Sequence, residues 1–104
     1  MSVAIRAAHD TGIVIVTSAG NFYNQDACRY APPHLPETIA VGSTTQNDVV
    51  APFSNVGRCV DVYAPGVAIR GADAKAFRLQ PNRIPKTVAY SGTSQSCPIV
   101  VGAG

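Results

Sequence analysis

A serine late in the chain has the surroundings of an enzymatic nucleophile. Ser94 follows Gly92 and Thr93, where a predicted strand gives way to the start of an apolar helix. Backbone N–H groups in the first turn of a helix have no partner within the helix, and the helix dipole favours negative charge there. A hydroxyl at this place could attack a carbonyl and have the resulting oxyanion held by the backbone. A serine that merely caps the helix has the same local sequence, so Ser94 alone leaves both interpretations open.

An asparagine follows the first strand that the sequence predicts. Residues 13–17 are a continuous run of β-branched side chains, which is typical of a strand buried on both faces in a parallel sheet. Ser18, Ala19 and Gly20 come next, and Asn21 follows them. Open α/β sheets bind their ligands at the carboxyl ends of the strands. We therefore expect Asn21 to lie where a substrate could bind.

The order of the remaining segments predicts an α/β fold. Residues 3–10 have an apolar face at helical spacing, and Gly12 ends this predicted helix just before the strand at residues 13–17. A helix, a glycine and a buried strand make the αβ half of a βαβ unit. Further strands are predicted at residues 38–42, 60–63, 67–72 and 86–91, and a loop at residues 73–85. The helix that contains Ser94 comes last.

The composition is that of a small and weakly charged chain. Its 104 residues are 46% hydrophobic and 13% charged, with a formal net charge of +2. A domain of this size leaves much of its surface in water and normally carries more charge, so we expect a piece of a larger domain. The net charge favours neither nucleic acid nor an anionic membrane as a partner. The sequence also has no apolar run of about 18 residues, the length of a membrane span.

Several motifs together resemble the subtilisin-like (S8) serine peptidases. Residues 18–21 and 92–98 resemble the two signatures of the C-terminal half of that catalytic domain. The segments that resemble its proteinase K branch are residues 31–32, 41–43, 53–57 and 61–66, and those closest to the secreted proprotein convertases of that branch are residues 26–28, 57–61 and Gln95. The resemblance implies a subtilisin-like three-layer α/β sandwich with a mostly parallel central sheet. Residues 1–104 would then be a partial domain, truncated at both ends.

The resemblance implies roles for the residues around both motifs. Ser94 would be the nucleophile, Asn21 the side-chain donor of an oxyanion hole, and the Ser94 backbone N–H the second donor. Fixed donors of this kind stabilise the charge on a tetrahedral intermediate. Ser18, Ala19 and Gly20 would form one wall of the primary specificity pocket. The implied activity is hydrolysis of peptide bonds in a protein or peptide substrate, with no cofactor needed for catalysis.

Two of the three cysteines match a pair that is bonded in the convertase-like branch. The resemblance therefore implies a disulfide between Cys28 and Cys59, with two free thiols as the alternative. A disulfide implies an oxidising compartment, so we expect a secreted protein or one of the secretory pathway, although the chain shows no signal peptide. Cys97 lies near Ser94, but no histidine is visibly placed to activate it. We interpret Cys97 as a small core residue.

The resemblance also implies a structural calcium site. Asp61, with the backbone carbonyl groups of Pro36 and Thr38, matches a calcium site of proteinase K-like enzymes. One carboxylate, carbonyl groups and water are acceptable ligands for this hard cation. An aspartate at the start of any strand next to a loop has the same local sequence, so that interpretation also stays open.

The base that a serine nucleophile needs is not recognisable in this sequence. In subtilisins the catalytic residues come in the order Asp, His, Ser, and the first two precede the asparagine motif. His9 and His34 do not lie in the sequence context of a catalytic histidine. We therefore expect the isolated chain to be inactive without a missing N-terminal half of the peptidase domain. A non-catalytic binding module that keeps the fold is the alternative.

Overall fold

The computed structural model describes residues 2–72 and 87–103, and the loop predicted at residues 73–85 lies outside the described residues. One helix stands at each end of the described chain and the strands lie between them, in the order that the sequence predicts. The elements are α1 (Ser2–Asp10), β1 (Ile15–Ser18), a 3-10 turn (Ala27–Arg29), β2 (Thr38–Thr44), β3 (Val62–Pro65), β4 (Ile69–Ala72), β5 (Thr87–Tyr90) and α2 (Thr93–Ala103).

The central sheet of the described chain is parallel and has the strand order β1-β2-β3. Ile15 of β1 lies opposite Thr38 of β2, and Val41 of β2 lies opposite Val62 of β3. The strands β4 and β5 form a separate antiparallel pair. Helix α2 packs across all three parallel strands, and α1 contacts β1. Because the three strands run in one direction, their carboxyl ends meet at one edge, and α2 begins at that edge.

The first strand differs from its prediction in position and in burial. It begins at Ile15, while Ile13 and Val14 are 56% and 71% exposed. The residues of β1 are only half-buried. Among the described strands, β1 pairs with β2 on one side and with none on the other. The prediction of a strand buried on both faces is therefore wrong for the described chain.

The buried residues of the described chain are mostly small, and several of them are polar. The buried apolar residues are mostly alanines: Ala19, Ala27, Leu35, Ala40, Val41, Ala51 and Ala64. The buried polar residues are Thr38, Ser43, Ser54, Asn55, Thr93 and Ser96. No buried side-chain nitrogen or oxygen of the described residues lacks a hydrogen-bond partner. Buried polar groups are costly unless paired, so these hydrogen bonds fix how the strands and the helix meet.

Ser96 attaches α2 to the ends of β2 and β3. Its hydroxyl donates to the carbonyl oxygen of Ala64 at 2.9 Å and lies 2.8 Å from the hydroxyl oxygen of Ser43. The carbonyl oxygen of Gly66 accepts a hydrogen bond from the backbone N–H of Gly92 at 2.8 Å. These contacts place the start of α2 against the carboxyl ends of the parallel strands.

Gly66 has no room for a side chain. A Cβ atom at this position would overlap the hydroxyls of Ser43 and Ser96 and would lie 2.8 Å from the carbonyl oxygen of Gly92. Because hydrogen bonds hold those groups, we expect Gly66→Ala to lower the free energy of unfolding by about 1–3 kcal/mol. Gly71 is the matched control, since a Cβ there would meet nothing within 4 Å.

For Gly71→Ala we expect a change of less than about 0.5 kcal/mol. Urea unfolding of the two variants measures the difference. Equal losses of stability in both would contradict the view that the contacts around Gly66 fix the start of α2.

Candidate active site

The side chain of Asn21 is held by the residue that precedes Ser94. Asn21 Oδ1 accepts hydrogen bonds from the backbone N–H and from the hydroxyl of Thr93, both at 2.9 Å. The Thr93 hydroxyl in turn accepts from the backbone N–H of Gly20 at 3.2 Å. A backbone N–H can only donate, so it identifies the oxygen end of the carboxamide. The Nδ2 amino group of Asn21 therefore faces away from Thr93, and no described residue accepts a hydrogen bond from it.

Ser94 is exposed in the first turn of α2, next to the fully buried Thr93. The backbone N–H groups on either side of it are paired: that of Thr93 with Asn21 Oδ1, and that of Gln95 with the carbonyl oxygen of Gly92 at 3.1 Å. The Ser94 N–H has no acceptor among the described residues. Ser94 thus supplies a hydroxyl and a free backbone N–H, and Asn21 supplies a free carboxamide NH2. Thr93 connects them, because it precedes Ser94 in the chain and hydrogen-bonds to Asn21.

A cleft lies between Ser94 and the end of β1. Its walls are formed by Val16, Thr17, Ser18, Ser94, Cys97, Pro98 and Val101. Of the three residues expected to form a pocket wall, Ser18 lines this cleft together with Ser94. The side chain of Ala19 is fully buried, and Gly20 is half-buried against Asn55.

Neither histidine lies at this cleft. His9 lines a different cavity together with Glu37, and His34 is exposed with its Nδ1 3.0 Å from the carbonyl oxygen of Tyr30. Within residues 2–72 and 87–103, the side chains that line the cleft beside Ser94 include no histidine and no carboxylate. The described residues therefore bring together the Ser94 hydroxyl and two hydrogen-bond donors without a side chain that could act as a general base.

Cys97 lies on the same helix as Ser94 and lines the same cleft. Burial raises the pKa of the Cys97 thiol above its usual value, which keeps the thiol protonated at neutral pH. The thiolate is the nucleophilic form of cysteine, so Cys97 is a poor nucleophile here. Cys97 is half-buried at the wall of this cleft, so the prediction of a core residue is wrong for the described chain.

Asn55 is the site residue that the sequence analysis did not single out. It is fully buried, and its side chain bonds to the backbone on both sides of Asn21. The only sequence signal for Asn55 was its place in the motif at residues 53–57. That motif resembles the proteinase K branch, but the resemblance implied no role for Asn55. Thr93 was likewise known only as part of a motif.

The structure joins Cys28 and Cys59 in a disulfide, with their Cα atoms 5.2 Å apart. The bond ties the 3-10 turn to the segment that leads into β3. Among the described residues, Cys97 is the one free cysteine.

The residues expected to bind calcium share one cavity. Pro36, Thr38 and Asp61 all line it. Asp61 Oδ2 accepts a hydrogen bond from the backbone N–H of Ala40 at 2.8 Å, which leaves Oδ1 for another partner. Arg58 lines the same cavity, yet no salt bridge joins it to Asp61 in the described chain. One carboxylate oxygen near two backbone segments is a donor set that fits a calcium ion completed by water.

Known proteins are similar to this chain in sequence. The Subtilase family (Peptidase_S8) matches residues 1–104. The extracellular serine proteinase of Thermus sp. (strain Rt41A) is 40% identical over 103 residues, which make up 99% of this chain and 23% of that protein. Proprotein convertase subtilisin/kexin type 9 of Mus musculus is 39% identical over 106 aligned positions, and the alignment covers 98% of this chain and 14% of that protein. The chain therefore belongs to the Subtilase family.

A solved structure has the same fold. The crystal structure of a cold adapted subtilisin-like serine proteinase matches with a TM-score of 0.81 at 39% identity, covering 97% of this chain and 33% of that one. The predicted α/β, subtilisin-like fold with a mostly parallel sheet is confirmed. The chain spans about a quarter or less of the length of the curated relatives it matches. Among the described residues, no helix has both the length and the apolar character needed to cross a membrane.

The disulfide should contribute measurably to stability. It links positions separated by 31 residues, and the chain-entropy model gives about 3–4 kcal/mol for a loop of this size. We expect the Cys28→Ser, Cys59→Ser double variant to lose about that much free energy of unfolding in guanidinium titrations. Dithiothreitol should destabilise the unmodified protein and the Cys97→Ser control by the same amount. A protein equally stable in its oxidised and reduced forms would contradict this expectation.

Proposed function

We propose that these residues supply the nucleophile and the oxyanion hole of a serine endopeptidase. The observation that carries the proposal is the pair of hydrogen bonds from Thr93 to Asn21 Oδ1. They hold the oxygen of the Asn21 carboxamide at the residue that precedes Ser94, so its amino group points away from Thr93. Serine proteinases among the relatives of this chain support the same class of reaction.

The proposed reaction is acyl transfer. Ser94 Oγ attacks the carbonyl carbon of a peptide bond while its proton passes to a general base, and the carbonyl electron pair moves onto the oxygen. Asn21 Nδ2 and the Ser94 N–H hold the resulting oxyanion. The intermediate collapses as the C–N bond breaks and the amine leaves with the proton from the base. Water then hydrolyses the acyl-enzyme by the same steps.

The proposed reaction needs a general base, and in this proposal the base comes from outside these 104 residues. The described part of the cleft beside Ser94 has no histidine or carboxylate. We propose that a histidine and its orienting aspartate come from another part of the peptidase domain, and that residues 1–104 alone are inactive. The wall that includes Ser18 faces the substrate. The disulfide, together with a relative named as extracellular, supports a secreted or secretory-pathway protein.

Labelling with a fluorophosphonate probe tests the nucleophile. The probe reacts with a serine hydroxyl that a neighbouring base has activated, with loss of fluoride. We expect the gene product that contains residues 1–104 to be labelled and Ser94→Ala to abolish the label. Ser91 is the matched control: it is also exposed, its hydroxyl accepts from the Ala68 N–H at 2.8 Å, and Ser91→Ala should keep the label.

The same experiment decides between two classes of function. A folded gene product that hydrolyses no peptide and takes no label at Ser94 would overturn the peptidase proposal. That result would favour a non-catalytic binding module, which the absence of a base among the described cleft residues makes the second candidate.

We further propose that Asp61 and the backbone of Pro36 and Thr38 hold a structural calcium ion. The support is the shared cavity and the free carboxylate oxygen of Asp61. A bound calcium ion would neutralise this carboxylate and tie the start of β2 to the start of β3. It takes no part in the acyl-transfer steps.

Thermal unfolding with and without calcium tests this site. A ligand present at one hundred times its dissociation constant stabilises the folded state by about 2.7 kcal/mol, so calcium should raise Tm by several degrees. Asp61→Asn keeps an oxygen for the Ala40 N–H but removes the charge, and we expect it to abolish the calcium effect. Asp48→Asn is the control, because that exposed residue lies outside the cavity and should leave the effect intact. An unchanged Tm on adding calcium would contradict the site.

A further inference from the structure

Asn55 bonds to the loop that carries Asn21 at three points. Its Nδ2 donates to the carbonyl oxygen of Ala19 at 3.1 Å, and its Oδ1 accepts from the backbone N–H of Phe22 at 3.1 Å. Its own backbone N–H donates to the carbonyl oxygen of Gly20 at 2.9 Å. The Asn55 side chain is fully buried, so these bonds are shielded from water.

The three bonds lie on both sides of Asn21. Two go to the residues just before it and one to the residue just after it. A carboxamide presents a donor and an acceptor in one plane, which lets a single side chain pair with a carbonyl and an N–H of the same loop. Asn55 therefore fixes the backbone from which the Asn21 side chain projects, without contacting the cleft itself.

Gly20 shows how closely the loop lies on Asn55. Gly20 has a φ of +105°, and a Cβ atom there would lie 2.6 Å from Asn55 Nδ2. The loop can approach this closely only because Gly20 has no side chain, and positive φ is the conformation that glycine tolerates best. The backbone before Asn21 is thus held by hydrogen bonds to Asn55 and by the Thr93 hydroxyl, which accepts from the Gly20 N–H.

We propose that Asn55 is a positioning residue for the oxyanion hole. This inference rests on the proposed function, because it concerns the donor that Asn21 supplies. Asn55 fixes the backbone of residues 19–22, that backbone sets the origin of the Asn21 side chain, and Thr93 sets its direction. An oxyanion donor must lie about 2.7–3.1 Å from the oxyanion, so a small shift of the loop weakens the hydrogen bond in the transition state.

A hydrogen-exchange experiment tests the positioning without any need for activity. The backbone N–H groups of Phe22 and Thr93 report the two contacts that fix Asn21. In Asn55→Ala we expect both to exchange at least about 10-fold faster, relative to the N–H of Val41 in the central strand. Ser54→Ala is the matched control, because Ser54 is equally buried and its hydroxyl bonds to the Ser43 N–H and the Asn55 carbonyl but to no atom of residues 19–22. The control should leave the Phe22 and Thr93 ratios unchanged.

A double-mutant cycle on peptide hydrolysis tests the link to catalysis. Loss of one oxyanion donor in subtilisin itself lowers kcat by about 10²–10³-fold, a magnitude taken from that relative. We expect Asn55→Ala in the full gene product to lower kcat at least about 10-fold, with KM changed less than about threefold. In an Asn21→Ala background the same change should alter kcat less than about twofold, because the donor it positions is gone. Ser54→Ala should keep kcat within about twofold of the unmodified protein.

A second variant keeps the test valid if Asn55→Ala does not fold. Asn55→Asp retains the acceptor for the Phe22 N–H and loses the donor to Ala19 while it is ionised. Burial raises the pKa of a carboxyl, and the protonated form donates again, so its kcat relative to the unmodified protein should rise as the pH falls from about 8 to about 5.

The outcomes separate the two proposals. Equal losses of kcat with and without Asn21, or unchanged exchange at Thr93, would show that Asn55 only stabilises the fold. A gene product without Ser94-dependent hydrolysis would end the peptidase proposal, and the exchange ratios would still decide whether Asn55 fixes the Asn21–Thr93 contact.

Discussion

The contact between Thr93 and Asn21 is the interaction on which the site depends. The first N–H groups of a helix have no partner in the helix and must find one elsewhere. The Thr93 N–H and hydroxyl both find it in the oxygen of the Asn21 carboxamide. The bond that satisfies the start of α2 therefore also directs the Asn21 amino group. A structural requirement of the helix and a chemical requirement of the proposed oxyanion hole are met by the same two hydrogen bonds.

Hydrogen bonds, more than apolar packing, align the elements around this contact. The buried apolar residues are mainly alanines, whose single methyl groups contribute little, whereas Ser43, Ser54, Asn55 and Ser96 are fully buried and paired. A paired group adds about 0.5–1.5 kcal/mol, and a buried group left without its partner costs about 1–3 kcal/mol. Sliding α2 along the sheet would break several pairs at once. The small polar interior thus permits one arrangement of the strand ends and the helix start.

The sequence predicted the helices and strands better than their burial and tertiary contacts. Glycine and β-branched runs located α1 and the strands, because these signals are local. The burial of β1 was predicted wrongly. The β-branched run at residues 13–17 shows that a strand could be buried on both faces, but it does not show which elements cover those faces. The family was recognised from several motifs in order, and the family match confirms it. Asn55 was missed because an asparagine in a turn looks the same whether it caps its own loop or holds another. Its role depends on how residues 53–56 lie against residues 20–25, which no local pattern records.

The positions of Ser94 and Cys97 along α2 explain why Ser94 is the better candidate for the proposed acyl transfer. Ser94 stands in the first turn, where a free N–H and the positive end of the helix dipole favour an anion. Cys97 stands one turn further on, where the N–H groups are taken up within the helix and burial raises the pKa of its thiol. Sulfur is the better nucleophile only as a thiolate, and this environment suppresses the thiolate. The environment therefore favours negative charge beside Ser94 and disfavours it at Cys97, which supports Ser94 as the proposed nucleophile.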